Sequence, residues 1–196
     1  SLNGTTGDVI NGLAPLIAPQ LNNPNMTTLM GWADEIRRLK VRTNADSPKD
    51  AEQAIVFGAQ GIGLTRTEHM FFGDERISKM REMILAEDVE GRIKALAHIL
   101  PMQQADFEGI FRAMNGFPVT IRLLDPPLHE FLPTSDMVEK IESLAKELNV
   151  SYDHLMARID KLHESNPMLA HRGCRLGLTY PEIYETQVEA IIRAAL

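Results

Sequence analysis

Residues 118–125 read PVTIRLLD. Val119, Thr120 and Ile121 are β-branched, which suits them to a pleated surface. Apolar residues occupy both alternating sets of positions, so the stretch predicts a strand buried on both faces, as strands of parallel sheets are. Two shorter runs upstream have the same character. KVRTNAD (40–46) ends in turn formers, and GIGLTR (61–66) lies between glycines. Between them Ser47 can cap a helix over 48–58, with Pro48 in its first turn and Gly58 at its end. Helical pieces are expected between 68 and 100, and another over 103–114. After the strand, PPLHEFLP (126–133) cannot be regular helix. Amphipathic helices are expected over 135–148 and 151–164, then a structured loop, NPMLAHRGC (166–174). A last helix over 180–196 would start with Pro181.

Strand and helix alternate, which argues for a parallel α/β sheet, either doubly wound or part of a (β/α)8 barrel. Three strands are visible where a barrel needs eight. The first 20 or so residues, punctuated by Gly4, Gly7, Gly12, Pro15 and Pro19, read as a tail and linker, and a helix over 27–39 leads into the main domain. The apolar run IIRAAL (191–196) has no cap, so a cut edge is expected there.

Composition narrows the function classes. The 196 residues carry 27 acidic and 20 basic side chains, a formal net charge of −7. That balance argues against a nucleic-acid surface, which needs a basic field. No apolar run approaches the roughly 20 residues that span a bilayer. The start, SLNGTTGDVING, has neither the basic nor the apolar region of a signal peptide. With one cysteine, Cys174, no internal disulfide can form, and a cytoplasmic or organelle interior fits.

Two strands carry an arginine near their carboxyl ends: Arg66 and Arg122. That edge is where parallel α/β sheets bind ligands. Arg172, in HRGCR, is a third candidate beside Gly173. Three converging guanidinium groups call for something anionic between them, and each offers a fork that fits a carboxylate or phosphate. Any one of them alone reads more simply as a surface or ion-pair residue. Asp125 could orient an arginine, meet a ligand or metal, or merely cap a loop. Arg42 sits near a strand end, with Asn44 and Asp46 beside it as ordinary turn residues. His69, His129 and His171 have no zinc spacing, and no metal ligand is expected in the chain. Cys174 lacks an obvious base, and HRGCRLG reads as a packed turn holding a structural cysteine. GAQGIG (58–63) precedes a strand, so it is not a nucleotide loop.

Four segments carry a more specific signal: VRTNAD (41–46), GAQGIGLTRTEHMFF (58–72), VTIRLLDPPLHEFLP (119–133) and NPMLAHRGCRLGLTYPEIYETQ (166–187). Together they resemble the start of the phosphoenolpyruvate/pyruvate barrel of the pyruvate phosphate dikinase family, among the phosphoenolpyruvate-utilising enzymes. The resemblance implies a partial (β/α)8 TIM-type barrel: about three βα units and a helical insertion after the third strand, spanning 27–196. Residues 1–26 would be the remnant of a phosphohistidine domain and its linker. It further implies reversible transfer from ATP, phosphate and pyruvate to AMP, pyrophosphate and phosphoenolpyruvate through a phosphohistidine on another domain. Arg66, Arg122 and Arg172 would line the phosphoryl pocket, Arg66 and Arg122 acting in catalysis, with Asp125 close by. The magnesium ligands and the catalytic cysteine would lie beyond Leu196, and Cys174 does not inherit the latter role. A phosphoenolpyruvate synthase origin and a non-catalytic binding module remain as alternatives. In a partial barrel the apolar groups of Ile62, Leu64, Ile121 and Leu123 would be partly exposed. Cover by a second copy, as a two-fold homodimer, or by the N-terminal segment is therefore expected.

Overall fold

The computed structural model describes residues 1–16, 23–163, 166 and 168–196. Pro19 of the expected linker, residue 164 at the end of the second insertion helix, and Pro167 of the expected loop lie outside these residues. The chain divides into two units, Ser1–Leu39 and Lys40–Leu196. In the first, Leu2 and Val9 form an isolated antiparallel bridge. Helix α1 spans Pro24–Ile36, beginning where the Asn23 side chain accepts from the backbone N–H of Asn25. It starts and stops three residues earlier than its apolar spacing predicts, because Asn23 supplies the cap and Pro24 the first turn.

The second unit is α/β. Strand β1 (Thr43–Asn44) leads to α2 (Pro48–Val56), and β2 (Ile62–Arg66) to a 3-10 turn at Thr67–Phe71. Helices α3 (Asp74–Leu85) and α4 (Val89–Ala113) then return the chain to β3 (Val119–Arg122). A 3-10 turn at Leu128–Phe131 follows, then α5 (Val138–Leu148), α6 (Tyr152–Leu162), α7 (Gly173–Thr179) and α8 (Pro181–Ala195). The strands form one parallel sheet in the order β1-β2-β3. Each parallel step is bridged by helix, as a crossover requires. The arrangement is that of a small parallel sheet among helices, consistent with part of a barrel.

Ser47 caps α2 as expected, accepting from the N–H of Asp50 at 3.2 Å, and Gly58 ends the turn with φ of 86°. Four expectations need correction. First, β3 is not buried on both faces. Val119 and Ile121 pack against the core while Thr120 is exposed, since helices cover one face only among the described residues. Second, Ile62 is fully buried with Phe107, Ile110 and Met114 beneath the sheet, whereas Leu64, Ile121 and Leu123 are partly exposed as expected. Third, the expected break before residue 103 is absent. Helix α4 runs through Pro101 because its two halves are anchored in different cores: Leu96 and Ile99 in one, Phe107 and Ile110 in the other. Burial of that size outweighs the one backbone hydrogen bond a proline removes. Fourth, the loop ends early. Gly173, with φ of 54°, turns the chain into α7, and Cys174 on it is exposed instead of packed.

The two cores divide the labour. The larger gathers α3, the first half of α4, α5, α6 and the start of α8 around Phe131, Met80, Met83 and Leu124. The smaller, beneath the sheet, holds Ala51, Ile62, Phe107, Ile110, Met114 and Ala190. Together they fix the carboxyl ends of β2 and β3. No helix among the described residues is long and apolar enough to cross a membrane.

Candidate functional site

The register of the sheet brings the first two arginines together. Arg66 and Arg122 are direct partners across the β2–β3 pair, the last residue of each strand. Two hydroxyls fasten those strand ends. Thr65 Oγ1 donates to the carbonyl of Ala45 at 2.9 Å, and Thr67 Oγ1 to that of Arg122 at 3.0 Å. Threonines either side of Arg66, one within β2 and one just past it, thus tie the β2 end to the chain after β1 and to the end of β3.

Each arginine has a carboxylate of its own. Asp46 accepts from Arg66 at its backbone N–H (2.8 Å), at Nε (3.0 and 3.3 Å) and at Nη2 (2.6 Å). It also meets His69 Nδ1 at 2.7 Å. Burial pushes the Asp46 carboxyl up, but the bonds from Arg66 and His69 outweigh it and hold the group below the usual aspartate value. The Asp46 bond in turn raises the Arg66 guanidinium. Glu68, 6% exposed, accepts from Arg122 Nη2. Its other oxygen, Oε2, and Arg122 Nε are both buried without a partner. The Arg122 grip is therefore one-pronged, although a guanidinium can engage a carboxylate with two.

Asp125 serves the third arginine. Arg172 donates from Nη2 to Oδ2 of Asp125 and from Nε to its carbonyl at 3.2 Å. The Asp125 bond raises the Arg172 guanidinium. Oδ2 also lies 3.4 Å from Arg122 Nη1, so one carboxylate links two arginines. Tyr184 holds the backbone here, donating to the carbonyls of Leu124 (2.7 Å) and Gly173 (3.0 Å). Burial, with Asp125 adding to it, pushes the Tyr184 hydroxyl up to about 12, so it remains a donor. A side chain at Gly173 would place Cβ 3.3 Å from Asp125 Oδ1, and its φ is left-handed. That position therefore needs glycine.

Arg122, Asp125 and Arg172, all predicted from the sequence, fall into one chain of ion pairs, and Arg66, also predicted, forms its own pair with Asp46 on the adjacent strand end. One argument behind them changes. The anion that lets three arginines converge is already present in the protein as Asp46, Glu68 and Asp125, and Asp125 orients arginines instead of capping a loop. Asp46 and Glu68 escaped sequence reading. The one visible signal for Glu68 was its place two residues after a strand-end arginine. Asp46 looked like a turn residue, and Arg42 beside it is exposed.

The histidines do not converge. His69 is bound to Asp46; the His129 ring lies 5.5 Å from that of His163; His171 Nε2 meets Thr179 Oγ1 at 2.9 Å. Among the described residues no group of three or more His, Cys, Asp or Glu could hold a metal ion.

A site of this kind can present guanidinium forks to a small anion and stabilise charge that develops on it. Comparison with known proteins bears on which anion. The family model described as PEP-utilising enzyme, PEP-binding domain, matches residues 22–196. Over its whole length the chain is 58% identical to pyruvate, phosphate dikinase 1, chloroplastic, from Arabidopsis thaliana. It is 56% identical to the protein of the same name from Oryza sativa subsp. japonica, and 56% to pyruvate, phosphate dikinase from Rhizobium meliloti (strain 1021). It covers 20%, 21% and 22% of those proteins, so the chain spans about a fifth of the length of the curated relatives it matches.

Proposed function

Since this chain belongs to the PEP-utilising enzymes, matching their PEP-binding domain over residues 22–196, we propose that its strand-end arginines bind the phosphoryl group of phosphoenolpyruvate within a pyruvate, phosphate dikinase. The proposed reaction converts ATP, phosphate and pyruvate reversibly to AMP, pyrophosphate and phosphoenolpyruvate. A histidine on another domain of the same protein carries the phosphoryl group. This chain would form the first part of a TIM-type barrel, residues 27–196, with residues 1–26 leading in from the carrier domain, in a cytoplasmic or organelle interior.

One observation carries the reading: Arg66 and Arg122 end adjacent parallel strands in direct register, each steadied by a carboxylate, with Arg172 joined through Asp125. A phosphoryl group in flight spreads negative charge over its oxygens. Donors already fixed in place stabilise that charge without reorganising. Arg66 and Arg122 would act on the transferring group, and Arg172 with Asp125 would complete the binding wall. Magnesium, expected for the whole enzyme, would not be held here. Asp46, Glu68 and Asp125 each hold a guanidinium here, and among the described residues no group of three or more His, Cys, Asp or Glu could hold a metal ion.

The test uses a full-length dikinase carrying this segment. Arg66→Ala, Arg122→Ala and Arg172→Ala should each slow exchange of label between pyruvate and phosphoenolpyruvate by about 10²–10³-fold, the usual cost of one oriented donor. Phosphorylation of the carrier histidine by ATP should survive. If Arg122→Ala abolished the ATP step and spared the exchange, the assignment would be wrong.

A further inference from the structure

We propose that Asp46 is a positioning residue that aims Arg66 at the bound anion, an inference that rests on the arginine-site reading above. A turn-capping aspartate needs one backbone N–H. Asp46 takes that bond and then grips the Nε–Nη2 edge of the guanidinium as well, at 2.6–3.3 Å. Its side chain is 13% exposed and Arg66's 35%, so the carboxylate lies beneath and the arginine reaches outward. A guanidinium is planar and rigid, so fixing one edge fixes the direction of the others. Among the described residues, no hydrogen bond involves Nη1 of Arg66. The grip leaves that end of the fork for an incoming oxygen.

His69 strengthens the arrangement. Its Nδ1 meets Asp46 Oδ2, the same oxygen that holds Arg66 Nη2. The partner is a carboxylate, so Nδ1 bears the proton, an assignment that follows from the bonding network. Arg66 immediately precedes the 3-10 turn and His69 lies within it, so one carboxylate from the bend after β1 holds both. The His69 ring lies 6.1 Å from Phe72, whose ring stacks 5.7 Å from Phe131 in the segment after β3. Asp46 therefore belongs to a continuous set of contacts across all three strand ends. In metal sites, partners that hold a ligand from behind tune affinity or activity about tenfold or more, and Asp46 stands in the same relation to Arg66.

A purely structural Asp46 would lower stability without changing how Arg66 meets an anion, and the two roles separate experimentally. Phosphoenolpyruvate is titrated into the 196-residue chain while the arginine Nε–H signals are followed by nitrogen-edited NMR, for the wild type, Asp46→Asn and Asp46→Glu. In the wild type the Arg66 and Arg122 signals should shift. In Asp46→Asn the Arg66 shift should fall at least about threefold and its Nε–H should exchange with water about tenfold faster, while Arg122 keeps its shift. Asp46→Glu, which restores the charge one methylene further out, should fall between. Equal Arg66 shifts in wild type and Asp46→Asn overturn the inference. No arginine shift in the wild type with phosphoenolpyruvate raised to about 50 mM, well above the weak affinity expected of the 196-residue chain, overturns the site reading and the inference with it, so the two failures differ. Should Asp46→Asn not fold, Asp46→Glu carries the test: a reduced Arg66 shift supports the role, an unchanged one contradicts it.

Discussion

Glu68 is the residue with most at stake in this site. It is 6% exposed, its Oε1 accepts from Arg122, and its Oε2 has no partner. Removing its charge leaves Arg122 facing a neutral group in a half-buried setting. Glu68→Gln should cost about 1–3 kcal/mol of stability, read as a lower urea midpoint at unchanged slope. Asp46 makes a prediction in pH. Its folded carboxyl lies below the ordinary aspartate value. Its contribution is therefore fully present above the unfolded value of about 3.9 and is lost as pH falls through the lower folded value. Urea unfolding from about pH 7 down to about pH 2.5 should show a shallower acid decline for Asp46→Asn than for the wild type. Arg66 and Arg122 were legible in the sequence because a strand ending in arginine is a local pattern, and Arg172 because a glycine follows it in HRGCR. Their carboxylates were less so: Asp46 reaches Arg66 across 20 residues and Glu68 reaches Arg122 across 54, and no local pattern records such pairing.

At the scale of elements, one glycine tests the packing of α2 on α4. Alanine is normally favoured over glycine inside a helix by about 1 kcal/mol. At Gly109 a Cβ would sit 2.6 Å from Pro48 Cγ and 3.0 Å from its Cβ, and this ring opens α2. Gly109→Ala should therefore lower the melting temperature, while Gly31→Ala in α1, where nothing lies within 4 Å, should raise it. Opposite signs from one substitution type would be seen by scanning calorimetry, and two increases would contradict the close contact. Elements defined by their own caps and apolar spacing, such as α2 and α8, could be read directly. Elements defined by what they pack against could not. Helix α4 passes Pro101 because two cores hold it, and β3 has an open face because a strand's alternation does not say how many layers cover it. The helix at Gly173 was hidden by its length of seven residues, too short for any periodicity to register.

At the scale of the whole molecule, the arginine edge is open and the chain spans about a fifth of its relatives' length. Contacts to a screened, solvent-facing fork are weak. The 196-residue chain should bind phosphoenolpyruvate no tighter than millimolar in calorimetry and turn over nothing with pyruvate, phosphate and ATP. Helix α8 shows Val188 and Ile192, one turn apart, 47% and 55% exposed. The sheet ends at β1 and β3 with one unpaired edge each among the described residues. Such surfaces favour association, and a two-fold dimer is expected; sedimentation equilibrium giving a monomer at tens of micromolar would contradict it. The central claim is that the carboxyl edge of the β2–β3 pair receives the phosphoryl group, and diffraction from crystals grown with saturating phosphoenolpyruvate tests it most directly. The account predicts phosphoryl density bridged by Arg66 and Arg122, with Arg172 and Asp125 alongside. Density lodged instead in the cavity lined by Lys79, Lys94 and Arg158, with none at the strand ends, would contradict it.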